Sequence, residues 1–380
     1  MLKTLKTVSF LFFGACYLPL AVLYADVHVS TSTDEGAVQY AINAASHGDT
    51  VTIPAGTAKW FRGVNIYNKG ITLQGAGMDP ATGTVIIDST TGGNLSYQNK
   101  NPINIQNTTD NFVRVTGLVI DGTDIPNAGS QAGIYLIGDT KFFRIDHIFF
   151  KQLAKGVGSG GYVEGLVDHC TFYLYPDAGK TPITGIPGTQ WMVSPFPTSI
   201  SNTYPESAKM DVDWQRPLSL GTSNAAYVED CHYNWSAEWI SASILGGDGG
   251  NRIVFRYNTS SPGPVNALEN YGVVGSATRG IASIELYKNR YHFTGSGYMF
   301  RFGSGTGIIY DNEFTGNLSY GANNFFAQNY RAENPDNGVH KFYWGLCNGT
   351  NPLDGNEAAD ATATGAHSGS DDSNVLVCAG

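Results

Sequence analysis

The sequence predicts an all-β solenoid: short parallel strands wound into a stack of similar rungs. Three observations predict it. First, one motif recurs, as Asp146-His147-Ile148-Phe149-Phe150, Asp168-His169-Cys170-Thr171-Phe172, Glu229-Asp230-Cys231-His232-Tyr233, Tyr287-Lys288-Asn289-Arg290-Tyr291 and Tyr310-Asp311-Asn312-Glu313-Phe314. A looser copy starts at Arg256-Tyr257-Asn258. The copies lie about 22, 61, 27, 31 and 23 residues apart, a spacing that marks units stacked on their neighbours. Second, an apolar residue precedes each copy (Ile145, Val167, Val228, Phe255, Leu286, Ile309). Third, only 14% of the 380 residues are charged and 47 are Gly, which suits a strand- and turn-rich chain.

In chain order, Lys3 and Lys6 precede an apolar run over 8–23 that ends at Tyr24-Ala25-Asp26. This pattern reads as a secretory signal peptide over 1–25, and the protein is expected to be secreted or periplasmic. No later stretch is apolar for long enough to span a membrane. Residues 34–46 read as one amphipathic helix, with Val38, Ala41, Ile42 and Ala45 on one face, hydroxyl and carboxylate groups at its start and Gly48 at its stop. It is the expected N-terminal cap of the stack, which otherwise exposes its core. Strands are expected at 64–67, 70–74, 84–88, 103–106, 112–121, 134–137 and 142–150.

The solenoid is expected over 26–316. Its period breaks over 173–223, which carries seven prolines along with Trp191 and Trp214. This stretch reads as a long loop insertion, with its aromatics favouring an ordered lobe over the groove. Residues 317–380 read as a polar extension; 375–380 resembles the start of a strand, so the sequence is expected to be incomplete there. Cys347 and Cys378 flank a polar loop and are expected to pair as a disulfide in an oxidising compartment. Cys170 and Cys231 share one repeat position and read as buried, stacked thiols, or as a disulfide if their rungs are adjacent.

Alternation within the repeats places Ile145, Ile148, Phe150, Val167, Cys170, Phe172, Val228, Cys231 and Tyr233 inside, with a kink at His147. Asn258, Asn289 and Asn312 are expected to stack their amides inside the coil. The outward position before the kink reads Asp121, Asp146, Asp168, Glu229, Arg256, Tyr287 and Tyr310. Carboxylates at Asp146, Asp168 and Glu229, about 5 Å apart on successive rungs, would invite a Ca²⁺ ion. His147, His169, His232 and His292 read as packing or turn residues rather than metal ligands.

Net charge is −10, which argues against nucleic acid as a partner. Between residues 251 and 302, however, Arg252, Arg256, Arg279, Lys288, Arg290 and Arg301 outnumber Glu269 and Glu285 by six to two. Such a basic band attracts anions locally.

The segment from Ala37-Val38-Gln39-Tyr40-Ala41-Ile42-Asn43 to Gly48-Asp49-Thr50-Val51-Thr52-Ile53-Pro54-Ala55-Gly56-Thr57, with repeats ending in Asn-x-aromatic, resembles the pectin lyase-like superfamily of right-handed parallel β-helices. The resemblance covers about residues 26–316. It implies a polysaccharide-active or polysaccharide-binding protein, expected to be a monomer, but fold does not choose among lyases, hydrolases and non-catalytic adhesins. The polygalacturonase pattern is missing: the only Asp-Asp pair is Asp371-Asp372, and no His sits between two Gly. The expected enzyme is therefore a polysaccharide lyase, cleaving an acidic, uronate-containing glycan by β-elimination. Calcium-dependent lyases of this kind imply Arg256, Arg279 or Arg301 as the base. Lys288, Tyr287, Tyr310, Asp248, Glu285 and Arg252 are the candidate substrate-binding residues. The alternatives are a non-catalytic carbohydrate-binding β-helix or a glycoside hydrolase on the same fold.

Overall fold

A computed structural model describes residues 25–90, 101–107, 109–124, 132–137, 140–153, 155–160, 163–174, 190–194, 225–235, 242–247, 252–261, 265–270, 283–293, 300–302, 306–316 and 325–327. The signal-peptide region, Cys347 and Cys378 lie outside these residues, as does the strand start expected over 375–380. The described chain is an all-β parallel solenoid, mostly strand, with one helix among the described residues.

Each rung contributes three strands, one per face. In the rung that begins at Arg252–Arg256, the chain runs along the first face, turns, forms Thr259–Ser260 on the second, and then Val265–Asn270 on the third. The next rung repeats the course as Ser283–Tyr287, Arg290–Phe293 and Phe300–Phe302, with every strand parallel to its predecessor. The long strand Thr140–Lys151 crosses the corner between the first and second faces without a break, which joins those two faces into one sheet. The third face forms a separate sheet from Val64–Tyr67 to Phe325–Ala327.

Helix α1, Glu35–Ala44, caps the first rung and buries Val38, Ala41 and Ile42 against it. Asp34 occupies the N-cap position but makes no side-chain capping bond; instead it accepts a hydrogen bond from Ser32. The helix ends at Ala44, before Gly48, because Ala45 is already extended. Gln39 closes the exposed edge of the third face. Its side chain accepts from Asn65 N–H and donates to Asn65 C=O, as a further strand would.

Two expectations about boundaries change. Gln190–Ser194, inside the expected insertion, is a third-face strand in register with Val157 on one side and Ala242 on the other. The stretch 173–223 therefore includes this rung strand and the end of the strand Thr171–Leu174; the remainder of the expected lobe, including Trp214, lies outside the described residues. Likewise Phe325–Ala327 pairs with Phe300–Phe302, so the solenoid continues past 316.

The core follows the predicted alternation. Ile145, Ile148, Phe150, Val167, Phe172, Val228 and Tyr233 are buried. Phe150, Phe172 and Tyr233 stack down successive rungs, with ring centroids 4.8 and 4.9 Å apart. At the next rung the column holds the small Ser260, and Phe255 leans in from the first face to bridge Tyr233 and Tyr291. Cys170 and Cys231 are buried free thiols that donate to the carbonyls of Asp168 and Glu229, both at 3.3 Å.

Candidate glycan-binding corner

The repeated motif is the corner between the first and second faces. Its kink residue adopts left-handed backbone in every copy: His147, His169, Asp230, Tyr257, Lys288 and Asp311, with φ between 51° and 58°. In the preceding rung Gly117 takes the same place. One such residue between two extended stretches swings the chain onto the next face. His and Asp tolerate this conformation better than bulkier side chains do.

The residue after the kink points inward. Asn258 donates to Asn289 Oδ1 at 3.1 Å, and Asn289 donates to Asn312 Oδ1 at 2.9 Å. Each amide also donates to a backbone carbonyl, and each Oδ1 accepts a backbone N–H from the preceding rung. This is the expected amide ladder, and it satisfies a buried polar row.

The residue before the kink forms the outer column. Register aligns Thr116, Asp146, Asp168, Glu229, Arg256, Tyr287 and Tyr310. Asp121 does not belong to it, although its alternation resembled the others. It lies at the end of a second-face stretch, where it accepts from Lys151 at 2.9 Å.

The acids of the column do not form an open calcium site. Arg114 grips both oxygens of the buried Asp146, at 2.7 and 2.6 Å, and Thr116 and His147 add further bonds. Arg144 grips Asp168 in the same bidentate way, at 2.9 and 2.8 Å, and His169 adds a bond. Glu229 accepts from Arg256. Among the described residues no group of three or more His, Cys, Asp or Glu is arranged to hold a metal. A hard cation would have to displace guanidinium groups from these carboxylates, so the donor set does not fit Ca²⁺. Burial raises the Asp146 carboxyl, but the bonds from Arg114, His147 and Thr116 outweigh it and hold the group at about 2; Arg144 lies 3.6 Å away. Sequence reasoning missed these two arginines. Arg144 stands two residues before Asp146, so strand alternation already placed both on the outer face.

Arg256 is held by partners on the neighbouring rungs. Burial favours its neutral form, but the hydrogen bonds to Tyr287, at 2.8 Å, and to Glu229 outweigh that and raise its pKa further. Its guanidinium lies 5.2, 5.7 and 5.9 Å from the rings of Tyr227, Tyr257 and Tyr287. It is a permanently charged, aromatic-boxed group. Tyr310 stacks on Tyr287 at 4.7 Å, and Tyr257 meets Tyr287 edge-on. Tyr257 and Tyr310 are 42% and 45% exposed, so each offers ring surface to a ligand. Beside them is a groove of about 450 Å³ lined by Asp230, Tyr257, Thr259, Lys288, Arg290 and Glu313, among others.

The structure thus brings together Arg256, Tyr287, Tyr310 and Lys288. It places Arg301 on the third face, in register with Glu269, away from the Arg256 column. Arg252 lies two residues before Arg256 on the same strand, and Glu285 pairs in register with Val254 on that face. Arg279 and Asp248 lie outside the described residues. The basic band is also less cationic than its sequence: Arg256 faces Glu229, and Arg290 faces Glu313 at 3.2 Å. Lys288 stacks over Tyr257 at 5.6 Å. Among the described residues no helix is long and apolar enough to cross a membrane. A comparison with protein-family models and with curated proteins finds no match to this chain.

Proposed function

We propose that the chain is a secreted right-handed β-helix of the pectin lyase-like kind that binds a polysaccharide along this corner. The observation that carries the reading is the tyrosine set Tyr257, Tyr287 and Tyr310, fixed by Arg256 and stepped along consecutive rungs. The exposed rings of Tyr257 and Tyr310, backed by the buried Tyr287, present flat apolar surface to sugar faces, while Asp230, Lys288 and Arg290 provide hydrogen-bonding groups beside them. Lys288 is the cation best placed to meet a uronate carboxylate.

A second reading, β-elimination, has one supporting observation: Arg256 is a fixed positive charge beside the groove, which would stabilise charge developing on a uronate. In that reading Arg256 is an electrostatic group; Arg301, on the third face, is too far round the coil to serve this corner, and Arg279, outside the described residues, is the remaining candidate base. Ca²⁺ has no role at Asp146 or Asp168.

The test incubates the purified protein with polygalacturonate, alginate, sulfated glycans and a neutral glycan. Calorimetry measures binding and absorbance near 235 nm measures elimination. The proposal expects binding to at least one glycan, weakened by Tyr257→Ala and Tyr310→Ala. Binding that survives both substitutions, or no binding at all, overturns it. Unsaturated product marks the lyase; binding without product marks the non-catalytic protein.

A further inference from the structure

His147 and His169 are consecutive residues of the kink row, and their rings stack with centroids 5.1 Å apart and planes 7° from parallel. Each ring is anchored at one end only. Nδ1 of His147 lies 2.7 Å from Asp146 Oδ2, and Nδ1 of His169 lies 2.7 Å from Asp168 Oδ2. An ionised carboxylate only accepts, so it holds the proton on Nδ1 and leaves the lone pair on Nε2. Both side chains are 51% exposed, whereas both carboxylates are buried and locked by Arg114 and Arg144. Left-handed backbone at both corners aims the two rings the same way out of the coil. Metal-binding histidines are oriented in this manner, by a carboxylate on the opposite ring nitrogen. His232 bonds Thr259 and Ser261 through both nitrogens, and Nδ1 of His292 meets the Thr315 hydroxyl rather than a carboxylate.

We propose that Nε2 of His147 and Nε2 of His169 chelate one divalent transition-metal ion, of the class of Zn²⁺, Ni²⁺ or Cu²⁺. Imidazole nitrogen selects these ions over Ca²⁺ and Mg²⁺. Metal–imidazole bonds are about 2.0–2.1 Å long, so two nitrogens on one ion lie at most about 4.2 Å apart. The 5.1 Å stack is wider than that. The Nε2 lone pairs lie in the ring planes and run nearly parallel in the stack, so binding requires both rings to tilt toward each other, pivoting at their Nδ1–carboxylate bonds. No third His, Cys, Asp or Glu converges with them among the described residues, so water completes the coordination. The site is independent of the glycan reading and lies on earlier rungs than the tyrosine set.

The test titrates the full chain with Zn²⁺ and with Cu²⁺ by calorimetry, and examines the Cu²⁺ form by electron paramagnetic resonance. One ion per chain is expected, with two nitrogen donors coupled to copper. His147→Asn and His169→Asn suit the left-handed corner but lack imidazole. Each should weaken binding by about tenfold or more, while His232→Asn leaves it unchanged. A second measurement needs no variant: zinc should slow acylation of His147 and His169 by diethyl pyrocarbonate, read by mass spectrometry on the native chain. Unchanged affinity in either variant, absence of nitrogen coupling, or acylation indifferent to zinc overturns the shared site.

Discussion

Replacing Asn289 by Ala tests whether the amide ladder holds the corner. Asn289 is fully buried. Its Oδ1 accepts Asn258 N–H at 2.9 Å and Asn258 Nδ2 at 3.1 Å, and its amide donates to Phe255 C=O and to Asn312 Oδ1. The substitution strands the Asn258 N–H in the core and removes one bond from each of the other partners. A buried donor without an acceptor costs about 1–3 kcal/mol, and the lost side-chain bonds add about 1 kcal/mol. The expected loss is therefore about 2–4 kcal/mol. Asn312→Ala removes an equivalent side chain from a half-buried position, where water replaces part of what is lost, and should cost about 1 kcal/mol. Urea denaturation compares the two variants with the parent. Because a stacked array need not unfold in one step, hydrogen exchange at the Asn258 amide provides the local reading. Asn289→Ala should abolish its protection. A loss below about 0.5 kcal/mol with Asn258 still protected, or equal losses in both variants, would refute the ladder as a stabilising device.

The remaining predictions concern charge, thiols and the groove. Asp146, held at about 2 in the fold, contributes stability above the ordinary aspartate range that is lost as pH falls from about 4 toward 2. Acid titration should show this loss, about 2 kcal/mol, in the parent and a smaller one in Arg114→Gln, which keeps the His147 and Thr116 bonds. Asp88 has the opposite sign. Burial raises its carboxyl to about 7, and among the described residues its Oδ2 has no hydrogen-bond partner. Stability should fall as pH rises from about 4 through 7, and Asp88→Asn should remove that slope in urea melts at pH 5 and 8. Burial pushes the Cys170 thiol well up, with the neighbouring Cys231 adding to it. Ellman's reagent should therefore miss both thiols in the native protein and reach them in urea. Tyr287→Phe removes the bond to Arg256 and should weaken glycan binding several-fold while the melting temperature moves little; unchanged affinity would separate Arg256 from recognition.

Most of the fold was legible because a rung repeats its chemistry. A buried strand must alternate, and a corner must accept left-handed backbone, so Ile145, Cys170, Cys231 and the asparagines declare their positions in the sequence. The boundaries of the apparent insertion were not legible. Gln190–Ser194 is a strand only because Val157 and Ala242 lie on either side to pair with it, and no local pattern records such distant partners.

For the site, the sequence by itself determined the outer column from Asp146 onward, since register follows from the repeat and puts Asp146, Asp168, Glu229, Arg256, Tyr287 and Tyr310 in one line; before the repeat begins it named Asp121 where register puts Thr116. Only the tertiary structure decided what that line does. Arg114 reaches Asp146 from one rung before it, 32 residues away in sequence, and turns an apparent cation site into a closed ion pair. The same cross-rung reach ties Arg256 to Glu229 and Tyr287. Charge on a solenoid is settled between rungs, at a spacing of about 5 Å, and that distance is set by strand pairing rather than by position along the chain.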